Sequence, residues 1–350
     1  MGKTEIYGTI GPSCAKPKLL EEMFRLGMTG VRLNLSHSEL EGCGEWTRMV
    51  REAALAARVQ YKLLIDLRGP ELRVGNLKGA IKLEEGRQAW LEEEGSFAKG
   101  ASGEGERGSS FLSAVIPCPE VIFGHLQKGQ EILLDDGKIQ LYAVDVSDGS
   151  VCCKVTRGGN LKPKKSIALP GVELRLPVLT ESDKVNIRGA KSHGVTGVML
   201  PFVRRAEDLK ELKQELINAG AGGLEVFAKI ENMEGVRHLE ELLPYANQIV
   251  VARGDLGNSM PLWELPVVQA KIAKKCRDAG KSFMVVTQML ASMENHPVPT
   301  RAEVSDIFRA VSEGAASVMV TGETAVGQYP REVIQYLSNT VKAAERYAAS

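Results

Sequence analysis

The sequence predicts an α/β fold: a (β/α)8 (TIM) barrel with a small all-β lid domain inserted after the third strand. Three observations predict it. Eight short apolar runs ending in polar residues recur along the chain, and helical signals follow every one except the third. After the third run the pattern switches to period two, with turn signals between the segments. At 350 residues the chain exceeds the usual size of a single core, so one large domain with a smaller one is expected.

The eight runs are 5–9, 30–35, 62–66, 196–201, 224–230, 248–252, 282–287 and 317–321. Pro17 opens a helix after the first, because proline at the first helical position gives up only an N–H that has no helical partner. Thr180-Glu-Ser-Asp183 resembles a capping box with Asp in place of Glu, Thr300-Arg-Ala-Glu303 is a full one, and Tyr329-Pro330 starts the last helix. Between about residues 75 and 171 the turn signals are Asp135-Asp-Gly137, Ser147-Asp-Gly149 and Arg157-Gly-Gly159. The expected division is therefore residues 1–74 and 172–350 as barrel and 75–171 as inserted β-domain, entering at the end where barrel sites are built. Gly103-Glu-Gly-Glu-Arg-Gly108 matches the dinucleotide fingerprint literally. It stands in a polar stretch without the strand before and the helix after that such a site needs, so it reads as a loop.

Composition narrows the function. Hydrophobic residues make up 43% of the chain, enough for a substantial core. The 44 basic and 44 acidic residues balance, and no basic stripe with interleaved aromatics occurs, which argues against a nucleic-acid or membrane partner. The N-terminus lacks the apolar core of a secretory signal, and no run approaches the ~20 apolar residues that span a bilayer. The six cysteines have no metal-type spacing, and Cys152 and Cys153 are adjacent, as expected of reduced thiols in a cytoplasmic protein.

In a parallel barrel, polar residues at strand carboxyl ends build the site. Lys229 and Glu231 lie two apart and share a face, and Asp255 follows the next strand at the same end. An ammonium with two carboxylates suits a divalent cation and the phosphate or carboxylate that it neutralises. Arg32, Asn34 and Ser36 alternate with Leu33 and Leu35, placing three polar groups on one face. Asp66, Thr287 and Glu323 end other strands. His37 follows the second cluster, within reach of a nucleotide phosphate. Met199, Met284 and Met319 read as core.

These segments together resemble the pyruvate kinase family. The resemblance rests on Thr9-Ile-Gly-Pro12, Arg32-Leu-Asn-Leu-Ser-His37, Gly69-Pro-Glu-Leu-Arg73, Lys229-Ile-Glu-Asn232, Ala252-Arg-Gly-Asp-Leu-Gly257, Thr287-Gln-Met-Leu290, Pro299-Thr-Arg-Ala-Glu-Val-Ser-Asp306 and Gly322-Glu-Thr-Ala325, in family order. It implies a glycolytic enzyme that transfers the phosphoryl group of phosphoenolpyruvate to ADP, giving pyruvate and ATP, with both substrates bound between barrel and lid. By the same resemblance, Glu231 and Asp255 hold Mg2+ (or Mn2+), Lys229 and Arg32 serve the transferring phosphate, and Gly254, Asp255 and Thr287 receive the substrate carboxylate. Thr287 also helps to deliver a proton to the enolate. Asn34, Ser36, Asp66 and the carbonyl of Leu67 match a K+ site, and His37, Arg73 and Lys165 match groups near the nucleotide phosphates.

The sequence departs from the family pattern at three places. Leu67 stands where threonine is usual, which leaves a K+ requirement open. Pro201 replaces a serine and Ala168 an asparagine, both in the substrate or nucleotide region. After the helix at Pro330 the sequence ends at Ser350, where family members continue into a C-terminal effector domain. The expectation is a two-domain form without sugar-phosphate activation, with association through the barrel left open. Two other readings of the same site are a paralogue with another acceptor or other enolate chemistry, and a non-catalytic relative that binds phosphoenolpyruvate or nucleotide.

Overall fold

The computed structural model describes residues 3–36, 38–70, 72–94, 112–135, 137–147, 149–172, 174 and 176–349. His37 and the Gly103–Gly108 fingerprint lie outside these described residues. The chain divides into two compact units. One comprises Met1–Pro70, Pro177–Gly257 and Trp263–Ser350, the other Glu71–Leu176 with Asn258–Leu262.

The first unit is a closed parallel barrel. Its strands are β1 (Glu5–Thr9), β2 (Gly30–Asn34), β3 (Lys62–Asp66), β12 (Gly197–Leu200), β13 (Glu225–Ile230), β14 (Gln248–Ala252), β15 (Ser282–Val286) and β16 (Ser317–Met319), and β16 pairs with β1 to close the ring. The sequence reading places β1, β3 and β14 on these bounds. The runs at 30–35, 196–201, 282–287 and 317–321 stop short of their expected ends. Phe202 and Thr287 have positive φ (54° and 73°), which no strand accommodates, and Thr321 caps the next helix at ψ −97°.

Register fixes what points into the barrel. Tyr7 pairs with Gly30, Arg32 with Leu64, Asn34 with Asp66, Met199 with Asp66 and with Phe227, and Lys229 with Val250. Tyr7, Leu64, Met199, Phe227, Val250, Met284 and Met319 form one buried interior cluster, so the barrel is packed through its middle. Below it, Lys62 bridges Glu5 and Glu225 at 3.2 and 3.1 Å, and Gln248 donates to Ser317 Oγ at 2.8 Å. Above it the interior positions turn polar. That switch places the site at the carboxyl end.

The helices follow their local signals. Pro17 occupies the first turn of Pro17–Leu26, and Gly27 at φ 122° ends it, its N–H donating to Met23 and Phe24. Thr180 and Asp183 cap each other reciprocally at the start of Glu181–Gly189. Thr300 and Glu303 do so for Arg301–Ser312.

The second unit, between β3 and β12 in sequence, carries β4 (Ile81–Leu83), β5 (Gln88–Glu93), β6 (Leu112–Cys118), β7 (Glu131–Leu134), β8 (Ile139–Ser147), β9 (Ser150–Arg157), β10 (Gly159–Leu161) and β11 (Ile167–Ala168). Six of these make one mostly antiparallel sheet in the order β11-β7-β8-β9-β5-β6, and β10 pairs with β4. The sheet closes over its own core, which includes Leu91, Ile116, Ile132, Leu141, Val151 and Val155. Gly137 (φ 77°) and Gly149 (φ 70°) supply the turns that the sequence signals.

Gly30 is required by its neighbour: a Cβ there would stand 2.2 Å from Tyr7 Cε1, inside the packed barrel. Gly30→Ala is expected to cost about 1–3 kcal/mol through overpacking. Urea unfolding checks this, and wild-type stability in the variant would overturn the account of the interior.

Candidate active site at the carboxyl end of the barrel

Asp66 ends β3 with a carboxylate only 2% exposed. Burial of an unpaired charge at that depth would be costly, so partners are obligatory. Arg32 of β2 supplies Nε at 2.8 Å and Nη2 at 2.7 Å to Oδ2. Lys229 of β13 brings Nζ within 3.1 Å of Oδ1 and 3.2 Å of Oδ2, and within 3.0 Å of Glu231 Oε1. Burial alone would raise the Asp66 pKa, but the Lys229 and Arg32 charges outweigh it and hold the carboxyl below the usual range. At Lys229 burial works to lower the pKa, yet Asp66 and Glu231 raise it against the opposing Arg32 charge, so the ammonium stays protonated.

Glu231, also buried, accepts a hydrogen bond from the backbone N–H of Phe202 at 2.8 Å on its other oxygen. Phe202 itself sits at φ 54° in the turn that follows β12. Thr9 completes the rim of β1, donating to the Val320 carbonyl at 2.9 Å and lying 3.5 Å from Arg32 Nη1. Asn34 Oδ1 accepts from the Ser36 backbone at 3.1 Å, which turns the chain after β2. Leu67 is buried and its N–H donates to the Met199 carbonyl at 3.1 Å.

After β14 the chain enters the short helix Arg253–Asn258, which carries Gly254 and the half-buried Asp255. A Cβ at Gly254 would lie 3.7 Å from Thr287 Cγ2 and 3.9 Å from its Oγ1. Thr287 has φ 73° and Gln288 φ 52°. A β-branched residue there costs on the order of 1–3 kcal/mol, the kind of strain that concentrates at functional sites. The Thr287 hydroxyl is buried with no hydrogen-bond partner among the described residues. A polar atom left in that state is suited to a ligand.

The structure thus brings together Arg32, Asp66, Lys229 and Glu231, and separately Gly254 and Thr287. Arg73 and Lys165 belong to the second unit, where Arg73 Nη1 donates to the Lys164 carbonyl at 2.9 Å and Lys165 pairs with Asp135 at 2.7 Å. Asp66, expected from the resemblance to face K+, has both carboxylate oxygens committed to Arg32 and Lys229.

Several groups that shape the site stand in motifs visible in the sequence, but the sequence does not show which partners they take. Arg253 is buried and joins Asp306, at 2.6 Å, to the Thr287 carbonyl, at 2.7 Å. Glu323, 1% exposed, accepts from Leu290 N, Thr321 N and Thr321 Oγ1, tying the loops after β15 and β16. Asp183 accepts from the Arg68 and Gly69 N–H groups at 2.8 and 3.1 Å. The capping boxes were visible, but their second partners across the fold were not.

A closed parallel barrel with a charged carboxyl end, and a β-unit inserted between β3 and β12, define this protein as a (β/α)8 barrel of two-unit design. Residues 1–334 match the family model of the pyruvate kinase barrel domain. The chain is 38% identical over 343 residues to the pyruvate kinase of Geobacillus stearothermophilus, covering 95% of this chain and 55% of that one. It is 37% identical over 347 residues to that of Methylorubrum extorquens, covering 99% and 69%, and 33% identical over 346 residues to that of Clostridium perfringens, covering 99% and 71%. The chain spans little more than half the length of the first of these relatives. It belongs to the pyruvate kinase family. No helix among the described residues is long and apolar enough to cross a membrane.

The buried ion cluster sets a pH dependence. The folded pKa of Asp66 lies below the unfolded one, so its stabilisation is complete above the unfolded value of about 3.9 and is lost as pH falls through the folded value. Asp66→Asn is expected to lower stability by about 3–5 kcal/mol near neutrality, since it leaves buried cations under-compensated. The gap to wild type narrows below about pH 4. Urea unfolding across that range checks this, and a gap that does not vary with pH would exclude the ion cluster as its source.

Proposed function

We propose that this chain transfers the phosphoryl group of phosphoenolpyruvate to ADP, forming pyruvate and ATP in glycolysis. The observation that carries the reading is the Lys229 ammonium, buried at the carboxyl end of the barrel between Asp66 and Glu231 and kept protonated there.

The donor set fits a hard divalent cation. Among the described residues no three or more His, Cys, Asp or Glu side chains gather as a metal cage. Mg2+ is commonly held by one or two carboxylates, with substrate oxygens and water completing its shell. Glu231 and Asp255 would hold Mg2+ or Mn2+, which when bound would offset charge on the phosphate and the enol oxygen. Asn34, Ser36, Asp66 and the Leu67 carbonyl are the groups proposed for K+, and the buried Leu67 side chain adds no hydroxyl to that set.

The chain's own groups then have distinct work. Arg32 and Lys229 neutralise the phosphoryl group as its bond to the enol oxygen breaks and a bond to the terminal ADP oxygen forms. Gly254 and Asp255 present backbone N–H groups to the substrate carboxylate, with Thr287 beside them. The Thr287 hydroxyl, acting through water, helps to deliver the proton that the methylene carbon of the enolate takes up. His37, Arg73 and Lys165 are the proposed contacts of the nucleotide phosphates.

Two variants test this. Lys229→Met is expected to lower ATP formation by at least about 10²–10³, the range for removing a preorganised electrostatic group. A coupled assay on folded variant checks it, and undiminished turnover would refute the role. Gly254→Ala has room for its methyl within the protein and needs no positive φ. It is expected to fold normally while raising the KM for phosphoenolpyruvate about tenfold or more, equivalent to about 1.4 kcal/mol of lost binding. An unchanged KM would remove the carboxylate from this position.

A further inference from the structure

Thr287 and Gln288 both occupy the left-handed region, so contacts from outside their loop must hold them there. Those contacts converge on one guanidinium. Arg253 Nη2 donates to the Thr287 carbonyl at 2.7 Å and lies 2.9 Å from Met289 Sδ, while Nη1 donates to Asp306 Oδ2 at 2.6 Å. Asp306 is on Arg301–Ser312, whose first turn is fixed by the Thr300–Glu303 capping box. Glu303 also accepts from Ser292 N and Oγ at 2.7 and 2.6 Å, tying that helix to the loop that Thr287 begins.

A guanidinium is a planar fork. With Nη1 anchored on a carboxylate, the direction of Nη2 is fixed, and with it the orientation of the Thr287–Gln288 peptide. That orientation decides where the Thr287 side chain points. Its hydroxyl is buried, unpartnered among the described residues and close to Gly254, at the start of the helix that Arg253 itself opens.

We propose that Asp306 and Arg253 are positioning residues for proton delivery: the pair holds the Thr287 peptide in its left-handed conformation and so aims the Thr287 hydroxyl. Neither residue touches the reacting atoms. The chemistry assigned to Thr287 rests on the pyruvate kinase reading above, whereas the geometry does not. A purely structural pair would need only opposite charges. A positioning pair needs the fork.

The test uses the full chain with Arg253→Lys, Asp306→Asn, Thr287→Ala and the Thr287→Ala/Asp306→Asn double variant. Three quantities are measured: ATP formation, exchange of pyruvate methyl protons with deuterium followed by NMR, and backbone amide exchange in the segment 287–290. Arg253→Lys keeps the charge pair and loses the fork. It is expected to keep its melting temperature and the KM for phosphoenolpyruvate, while methyl exchange falls by about 10- to 100-fold, the scale of a small misplacement of a reacting group. Amide exchange at Gln288 and Met289 should rise in the same variant. Asp306→Asn should match it, and should add nothing in the Thr287→Ala background.

Wild-type methyl exchange in Arg253→Lys, or additive effects of Asp306→Asn and Thr287→Ala, would overturn the proposal. If Asp306→Asn fails to fold, Arg253→Lys decides alone. If the wild-type chain turns over no phosphoenolpyruvate, the functional reading falls, and amide exchange judges the brace by itself. Unchanged protection at 287–290 in the folded variants would then sink it.

Discussion

The site depends on one constraint: a carboxylate buried at the end of β3 that must be neutralised where it stands. Asp66 cannot reach water, so Arg32 and Lys229 are drawn to it from β2 and β13. β13 is not a neighbour of β3, because β12 lies between them. The Lys229 contact therefore crosses the lumen and fixes the ammonium over the barrel interior. The cluster is electrically balanced, with two cations against Asp66 and Glu231. A balanced cluster offers a polyanion little net attraction. Under the proposed function, a divalent cation on Glu231 would release Lys229 from one partner and add positive charge. Metal and anionic substrate should then each favour the binding of the other.

Strain is distributed with the same logic. Of the non-glycine residues with positive φ, Phe202, Thr287 and Gln288 follow barrel strands at the carboxyl end. Phe202 and Thr287 are each held by a contact with another group of the candidate site. The Phe202 N–H binds Glu231, and the Thr287 carbonyl accepts from Arg253. Relaxing either turn would free the Glu231 carboxylate or the Thr287 side chain to rotate. The energy that holds them comes from buried polar contacts in neighbouring loops rather than from the turns themselves.

The sequence made the barrel legible because a strand–helix alternation with apolar runs has few other solutions. Period two on β13 also placed Lys229 and Glu231 on one face, and they stand 3.0 Å apart. The apolar runs overstate the strand ends at 201 and 287, since a left-handed residue of ordinary type leaves no mark in the sequence, and at 321, where Thr321 at φ −117° and ψ −97° caps the next helix. The role of Asp66 as counter-ion was not readable either. It depends on a partner from a non-adjacent strand, whereas the family pattern marks Asp66 only as a proposed K+ ligand. Arg253 stands in a motif that the sequence shows, but its role was not readable from it: its burial and its two partners, Asp306 and Thr287, exist only in the folded state.

The departures from the family pattern can be weighed against this geometry. Pro201 stands where a serine is usual, at the point where β12 gives way to the Phe202 turn. Gly69, at φ 63°, lies against it so closely that a Cβ there would be 2.5 Å from Pro201 Cγ. The proline ring thus fills the space left by a glycine that its own conformation requires, and stiffens a turn whose N–H must meet Glu231. One hydroxyl is lost, while the backbone donor that the carboxylate needs is kept. Leu67 follows the same pattern, with its side chain in the core and its N–H paired to Met199. Ala168 differs in place: it pairs with Leu133 in the β-unit, outside the barrel cluster. The Arg32–Asp66–Lys229–Glu231 network therefore keeps its contacts in the presence of all three changes, and their effects should fall on ligand affinity before they fall on the charge arrangement.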